Sequence, residues 1–284
     1  MIGRPAHISR RSLAIAATLA VSLALGAHAA LNQRPLDAAK PAATEQSEVA
    51  APSARIALVI GNGHYPDAHA PLAQPVNDAR ALMVALRRNG FDVDMVEDAG
   101  KDDMNRAIER LKSKIAPDSV VVLFFGGFGV QVGRESYMIP VDAAIWKEAD
   151  VRREGVSIEA VLEAIKAQGA RARLAVIDAS RRNPYERRFR TFSHGLAPIV
   201  AASENALILS SATAGKVVDD SDGQHSVLMT ELLTNLAASA ASAEAIFNQT
   251  RAAISRASDG EQVPSVSSSL SEDVRLDAVE NAGG

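Results

Sequence analysis

Short apolar runs alternate with segments of helical periodicity along the middle of the chain. Residues 55–60 form one such run, and Gly61-Asn62-Gly63 follows it, which is typical of a buried strand and a turn. Residues 75–89 are predicted to form a helix, because their apolar side chains recur on one face. The same patterns predict strands at residues 91–96, 120–125, 174–178, 206–210 and 263–269, and helices around residues 104–111, 158–165, 229–236 and 243–256.

These elements predict an α/β fold with a mostly parallel sheet. The strands are apolar on both faces and the helices between them are amphipathic, so helices are expected on both sides of the sheet. A separate hairpin is predicted at residues 130–141, around Gly133. Because sites in such sheets form at the carboxyl ends of strands, four strand ends are candidates. They lie at residues 61–64, 126–129, 178–180 and 210–213.

The two ends of the chain lack this alternation. Residues 1–29 combine an arginine-rich start, an apolar run and a small-residue cleavage site, which predicts a signal peptide and an exported protein, periplasmic or secreted. No stable membrane span is expected after its removal, although an uncleaved anchor is the alternative, and the choice between general and twin-arginine export stays open. Residues 30–54 are predicted to be a flexible linker, and residues 271–284 a flexible tail.

Composition narrows the chemistry that the chain can perform. Apolar residues make up 47% and charged residues 23% of the 284 positions, as in ordinary globular domains. The formal net charge of -4 gives no overall field that would attract nucleic acid. The sequence contains no cysteine, which excludes disulfides, thiolate metal sites and a thiol nucleophile.

Several ordered motifs over residues 55–270 resemble the caspase-like clan, in particular bacterial metacaspase and orthocaspase domains. The motifs are RIALVIGNG at 55–63, PVNDAR at 75–80, FFGGFGVQ at 124–131, PVDA at 140–143, IDASRRNPY at 177–185, ATA at 212–214, GQHSV at 223–227 and PSVSSSL at 264–270. The resemblance implies a three-layer α/β sandwich around a six-stranded, mostly parallel sheet. It also implies a family of cysteine-type endopeptidases.

The two positions that carry the family's chemistry are both changed. Phe128 stands at the position of the family's catalytic histidine, and Ser180 at that of its catalytic cysteine. In that family the cysteine thiolate attacks the scissile carbonyl and the imidazole relays a proton. Phenylalanine cannot accept or donate a proton, and a serine hydroxyl is a poor nucleophile without a base. We therefore expect no catalytic residues and a noncatalytic member of the clan.

The positions that recognise substrate are kept. The resemblance assigns Asp78, Asp178 and Gly126 to a pocket for a basic side chain, and carboxylates there would favour Arg or Lys. It also places the oxyanion-binding region at Gly129 and Ser180. The alternative is structural, with Asp78 capping a helix and Asp178 ordering the turn after its strand.

Another base could in principle activate Ser180. His64 follows the first strand and is the best placed candidate for a divergent serine hydrolase, whereas His69 is a weaker one. His194 and His225 are expected in loops after the fourth and fifth strands.

Two charged clusters complete the candidates. Arginines at positions 181, 182, 187, 188 and 190 favour either an anionic partner or a solvated loop. Asp219, Asp220 and Asp222 could bind calcium or pair with that loop, but their spacing does not follow the EF-hand pattern. No other metal site or cofactor is expected.

The sequence thus favours an exported pseudoprotease. Its partner is expected to be a peptide or protein with exposed Arg or Lys, such as an active protease paralogue, and not nucleic acid. A Ser180 hydrolase and a structural assembly protein with a vestigial pocket are the alternatives.

Overall fold

The computed structural model describes residues 54–66, 71–181, 204–213, 215–216, 223–238 and 241–277, together with Tyr185, Leu196 and Ile199. In these ranges nine strands and six helices follow one another along the chain. They are β1 (Arg55–Gly61), α1 (Ala73–Arg88), β2 (Asp92–Glu97), α2 (Lys101–Lys114), β3 (Val120–Gly126), β4 (Gly129–Val132), β5 (Glu135–Met138), α3 (Glu148–Glu154), β6 (Val156–Ser157), α4 (Ile158–Ala167), β7 (Ala172–Asp178), β8 (Ala206–Ser210), α5 (Val227–Ala238), α6 (Ala243–Ala257) and β9 (Ser265–Ser268).

The main sheet has six strands in the order β2-β1-β3-β7-β8-β9. The first five strands in that order are parallel, and β9 pairs antiparallel with β8 at one edge. The α/β fold class and the mostly parallel six-stranded sheet are therefore confirmed.

Both faces of the sheet are covered by apolar cores. On one face Ala57 and Val59 pack in a cluster with residues of α1, α5 and α6. On the other face Ile56, Leu58 and Ile60 pack in a cluster with residues of α2 and α4. Since alternate residues of a strand point to opposite faces, a strand that is apolar throughout is stable only when covered twice. This requirement explains the three layers.

A second, three-stranded sheet in the order β4-β5-β6 lies after the end of β3. The predicted hairpin at residues 130–141 is present as β4 and β5, which pair antiparallel around Gly133. The helix α3 and the strand β6 were not predicted. With seven and two residues, they are too short to show a recognisable period.

The packed domain continues beyond residue 270, so the predicted flexible tail is wrong for residues 271–277. Val274 and Leu276 are buried in the core beside α5 and α6. The amide of Ala243 also donates to the carbonyl of Val274 at 2.6 Å. Sequence reasoning missed this because two apolar residues in an acidic segment show no periodicity. Residues 278–284 lie outside the described residues.

The predicted signal peptide and nearly all of the predicted linker also fall outside the described residues, which begin at Ala54. None of the helices in the described ranges has the length and apolar character needed to cross a membrane.

Candidate functional site

The central strands β1, β3 and β7 end in register at one edge of the sheet. Gly61 of β1 is in register with Gly126 of β3, which is in register with Asp178 of β7. The first turn of α1 packs against this edge, and a Cβ atom at Gly126 would lie 3.2 Å from the Cβ of Pro75. Gly126, predicted as part of a substrate pocket, is buried and allows this close approach of α1.

Phe128, at the position of the family's histidine, belongs to an apolar cluster. Its ring meets the ring of Tyr65 edge to face, with centroids 4.7 Å apart. The amide of Phe128 donates to the Tyr65 hydroxyl at 3.1 Å, and this hydroxyl donates to the carbonyl of Ile139 at 2.9 Å. Burial raises the pKa of the Tyr65 hydroxyl, so it stays protonated. The cluster places a hydrocarbon surface where the resemblance implies an imidazole.

Ser180 and Gly129 are closed off beside this cluster. Ser180 follows β7 and is 1% exposed. The amide of Gly129 donates to the carbonyl of Ala179 at 3.1 Å, so this predicted oxyanion donor is already used. A Cβ atom at Gly129 would lie 2.6 Å from Cδ2 of Leu196, which therefore covers this glycine. We call Phe128, Gly129 and Ser180 the catalytic corner.

Asp78 lies in the second turn of α1 and is fully buried. Its Oδ1 is 2.8 Å from Nδ1 of His225, and the amide of Ser226 donates to its two carboxylate oxygens at 3.3 and 3.2 Å. The Ser226 hydroxyl in turn accepts from the amide of Met229 in the first turn of α5. Asp78 therefore binds the start of α5 and does not cap its own helix.

Asp178 is also buried but has a different partner. Nη2 of Arg181 lies 3.4 Å from its Oδ2, and the same guanidinium donates to the carbonyls of Asp178 and Gly127. The Arg181 side chain is itself buried. An arginine in the turn after β7 thus compensates the Asp178 charge.

The two carboxylates influence each other. Burial raises the pKa of Asp78, the negative charge of Asp178 raises it further, and hydrogen bonds from His225 and Ser226 lower it, which leaves the pKa at about 6. We call Asp78, Asp178, Arg181 and His225 the acidic pocket, after the substrate pocket that the resemblance assigns to the two aspartates.

His64, the predicted alternative base, is directed elsewhere. Its Nδ1 lies 2.6 Å from Oδ2 of Asp98, and its side chain is 67% exposed. Asp98 follows β2, whereas Ser180 follows β7, three positions away in the strand order and therefore about 14 Å distant at the usual strand spacing. The structure does not bring His64 and Ser180 together.

Two residues at this edge have roles that sequence reasoning missed. The Asn62 side chain bonds the backbone of Ala99 and the carbonyl of Ile139, so it ties together the segments after β1, β2 and β5. His225 was expected to be a loop residue, yet it contacts the buried Asp78. The only sequence signal for His225 was its place in the GQHSV motif.

Several predicted residues fall outside the described ranges. They are His69, His194, Arg182, Arg187, Arg188, Arg190, Asp219, Asp220 and Asp222. The calcium and anionic-partner hypotheses therefore remain predictions. Within the described residues, no group of three or more His, Asp or Glu side chains is arranged to hold a metal ion.

Comparison with known proteins agrees with this architecture. A family model described as the caspase domain, Peptidase_C14, matches residues 54–275, more than three quarters of the chain. The matched residues span the whole six-stranded sheet and both regions of the site. No curated protein matches the chain.

Proposed function

The chain belongs to the caspase-domain family of peptidases, and we propose that it is a member that recognises a basic side chain without cleaving peptide bonds. The observation that carries this proposal is the packing of Phe128. Its ring is buried against Tyr65 where proton transfer to a leaving group would need an imidazole.

The state of the catalytic corner supports the loss of cleavage. Ser180 is almost fully buried, and the amide of Gly129 is bonded to Ala179. Both histidines of the described residues bind aspartates instead: His64 contacts Asp98 and His225 contacts Asp78. Neither histidine of the described residues serves Ser180, and without a base the hydroxyl stays a poor nucleophile, which supports the noncatalytic proposal over the serine hydrolase alternative.

The acidic pocket supports a remaining binding function. Asp78 and Asp178 lie close enough for the charge of one to raise the pKa of the other. Arg181 compensates Asp178, so Asp78 is the carboxylate that a guanidinium or ammonium group of a partner would neutralise. The proposed partner is a peptide or protein with an exposed Arg or Lys, such as an active protease of the same family.

Cleavage is tested with fluorogenic peptide amides that carry Arg or Lys before the reporter group. We expect no release above that of the matched Ser180→Ala variant, because both proteins carry Phe128 at the position of the family's histidine. Release that depends on Ser180, or labelling of Ser180 by a fluorophosphonate that His64→Ala abolishes, would establish the serine hydrolase instead.

Binding is tested with a fluorescent Ala-Ala-Arg amide and its citrulline analogue, which lacks the charge. We expect a preference for arginine that falls about ten-fold in Asp78→Asn, as hydrogen bonds between charged groups usually contribute this much. Asp98→Asn is the matched control, since Asp98 also contacts a histidine at this edge. Equal binding of both peptides would favour the structural assembly alternative.

Export is part of the proposal and is supported by the pattern of residues 1–29. N-terminal sequencing of the protein from the periplasm or the medium is expected to begin at Ala30. A chain that retains Met1 in the membrane fraction would favour the uncleaved anchor.

A further inference from the structure

The segment just before α5 is attached to α1 through three consecutive residues. The Asn77 side chain donates to the carbonyl of Gln224 at 3.1 Å. The adjacent Asp78 carboxylate contacts the His225 ring at 2.8 Å and the Ser226 amide at 3.3 and 3.2 Å. Two neighbouring side chains of α1 thus hold residues 224–226 against the helix.

Within this segment His225 is the partly exposed neighbour of the buried Asp78. The Asp78 side chain has no exposed surface, whereas the His225 side chain is 36% exposed. One side of the imidazole therefore contacts the carboxylate while another is open to water. At the carboxylate oxygen that this ring contacts, a cation would have to take the place of the imidazole.

We propose that His225 is a displaceable plug of the acidic pocket: it occupies the Asp78 carboxylate in the free protein and gives way when the guanidinium or ammonium group of a partner binds there. This inference rests on the proposed function and adds to it the step that opens the site. It also assigns Asp78, and not Asp178, as the carboxylate that contacts the partner's cation.

The surrounding contacts allow the ring to leave without unfolding the site. Ser226 is fully buried and its hydroxyl accepts from the Met229 amide, so its backbone stays fixed at the start of α5. Asp78 would keep both contacts from the Ser226 amide after the imidazole rotates away. Only the partly exposed imidazole of His225 has to move.

The distribution of charge explains why Asp78 is the exchangeable carboxylate. Arg181 contacts Asp178 and two carbonyl groups, and its side chain is 7% exposed, so replacing it would break several buried contacts. Among the described residues, the charged and titratable groups that act on the Asp78 carboxylate are Asp178 from β7 and His225 from the segment before α5. Of these, His225 is the one that a competing cation can replace from solvent.

The experiment measures the affinity of the Ala-Ala-Arg amide and of its citrulline analogue for four proteins. They are the wild type, His225→Ala, His225→Gln and His64→Ala. We expect His225→Ala to bind the arginine peptide about ten-fold more tightly, because a hydrogen bond to a charged group no longer has to be broken. His225→Gln should resemble the wild type, since its amide can still donate to Asp78.

His64→Ala is the matched control, because His64 also contacts an aspartate at the same edge but not Asp78. It should leave the affinity unchanged. If the wild type prefers the arginine peptide over the citrulline peptide and His225→Ala does not raise the affinity for arginine, the plug proposal is wrong while the proposed function stands. If neither protein distinguishes the two peptides, the proposed function is wrong and the plug with it.

A measurement on the wild type covers the case in which His225→Ala does not fold. In protein with ¹⁵N-labelled histidine, saturation with the arginine peptide should change the imidazole signals of His225 but not those of His64. The citrulline peptide should change neither. Unchanged His225 signals in the saturated arginine complex would overturn the plug.

Discussion

The catalytic corner holds an aromatic ring, whereas the acidic pocket at the same edge of the sheet holds two buried carboxylates. In the corner, Phe128 packs against Tyr65 and the amide of Gly129 is satisfied by Ala179. In the pocket, the carboxylate of Asp78 contacts His225, and the carboxylate of Asp178 contacts Arg181. The first region is stabilised by packing, the second by hydrogen bonds and ion pairing.

This difference bears on the proposed function. An edge-to-face aromatic contact stabilises a fold, and the ring of Phe128 has no group that could transfer a proton. Buried carboxylates usually contribute less to stability than well-packed apolar groups of the same size. Such residues are often retained for function at the expense of stability, which agrees with a binding role for the pocket.

Replacing the buried guanidinium is the strongest test of how the pocket is held. Arg181→Ala leaves the Asp178 charge and two carbonyl groups without this partner, and we expect a loss of about 3–5 kcal/mol in the free energy of unfolding. Urea denaturation followed by circular dichroism measures it. The double variant Asp178→Asn, Arg181→Ala should recover part of the loss. An unchanged midpoint in Arg181→Ala would show that the pocket does not depend on this ion pair.

The corresponding test of the corner is Phe128→Ala, with an expected loss of about 3 kcal/mol because a cavity forms beside Tyr65. The milder Phe128→Leu should cost about 1 kcal/mol in the same urea titration. Phe128→His restores the residue type of the family and should also destabilise the fold, since it buries a polar ring in an apolar cluster. A more stable histidine variant would contradict the packing role.

An effect smaller than those of Arg181→Ala and Phe128→Ala, and of the opposite sign, is expected from Asp78→Asn. Burial and the neighbouring Asp178 raise the pKa of Asp78 from 3.8 to about 6, so the folded state binds the proton more tightly than the unfolded state. Stability from this group is present below pH 4 and is lost as the pH rises towards 6. The variant should therefore be more stable than the wild type at pH 8, by about 1–2 kcal/mol after the weakened contact with His225.

Asp98→Asn is the control with the reverse sign. Burial alone would raise the pKa of Asp98, but hydrogen bonds from the amides of Gly63 and His64 and from the His64 ring outweigh it and lower the pKa. Asp98 thus contributes stability above its ordinary pKa that is lost as the pH falls. At pH 8 the Asp98→Asn variant should be less stable than the wild type. Equal shifts in both variants would mean that the two His–Asp pairs do not differ as described.

The sequence predicted the elements that depend on local patterns. β1, β3 and β7 were found because a strand covered on both faces is apolar throughout. The short α3 and β6 and the packing of Val274 and Leu276 were missed, because a few residues show no period. The resemblance assigned Asp78 and Asp178 to one substrate pocket; in the structure Asp78 lies in α1 and Asp178 ends β7.

By itself the sequence determined that a thiol is absent and that Phe128 cannot relay a proton, because these properties belong to the side chains and not to their surroundings. Only the tertiary structure decided which partners the retained carboxylates have. Asp78 and His225 are 147 positions apart and meet because α1 and the start of α5 pack together at the edge of the sheet. Such a pairing depends on the packing of distant elements, and therefore no local pattern of residues encodes it.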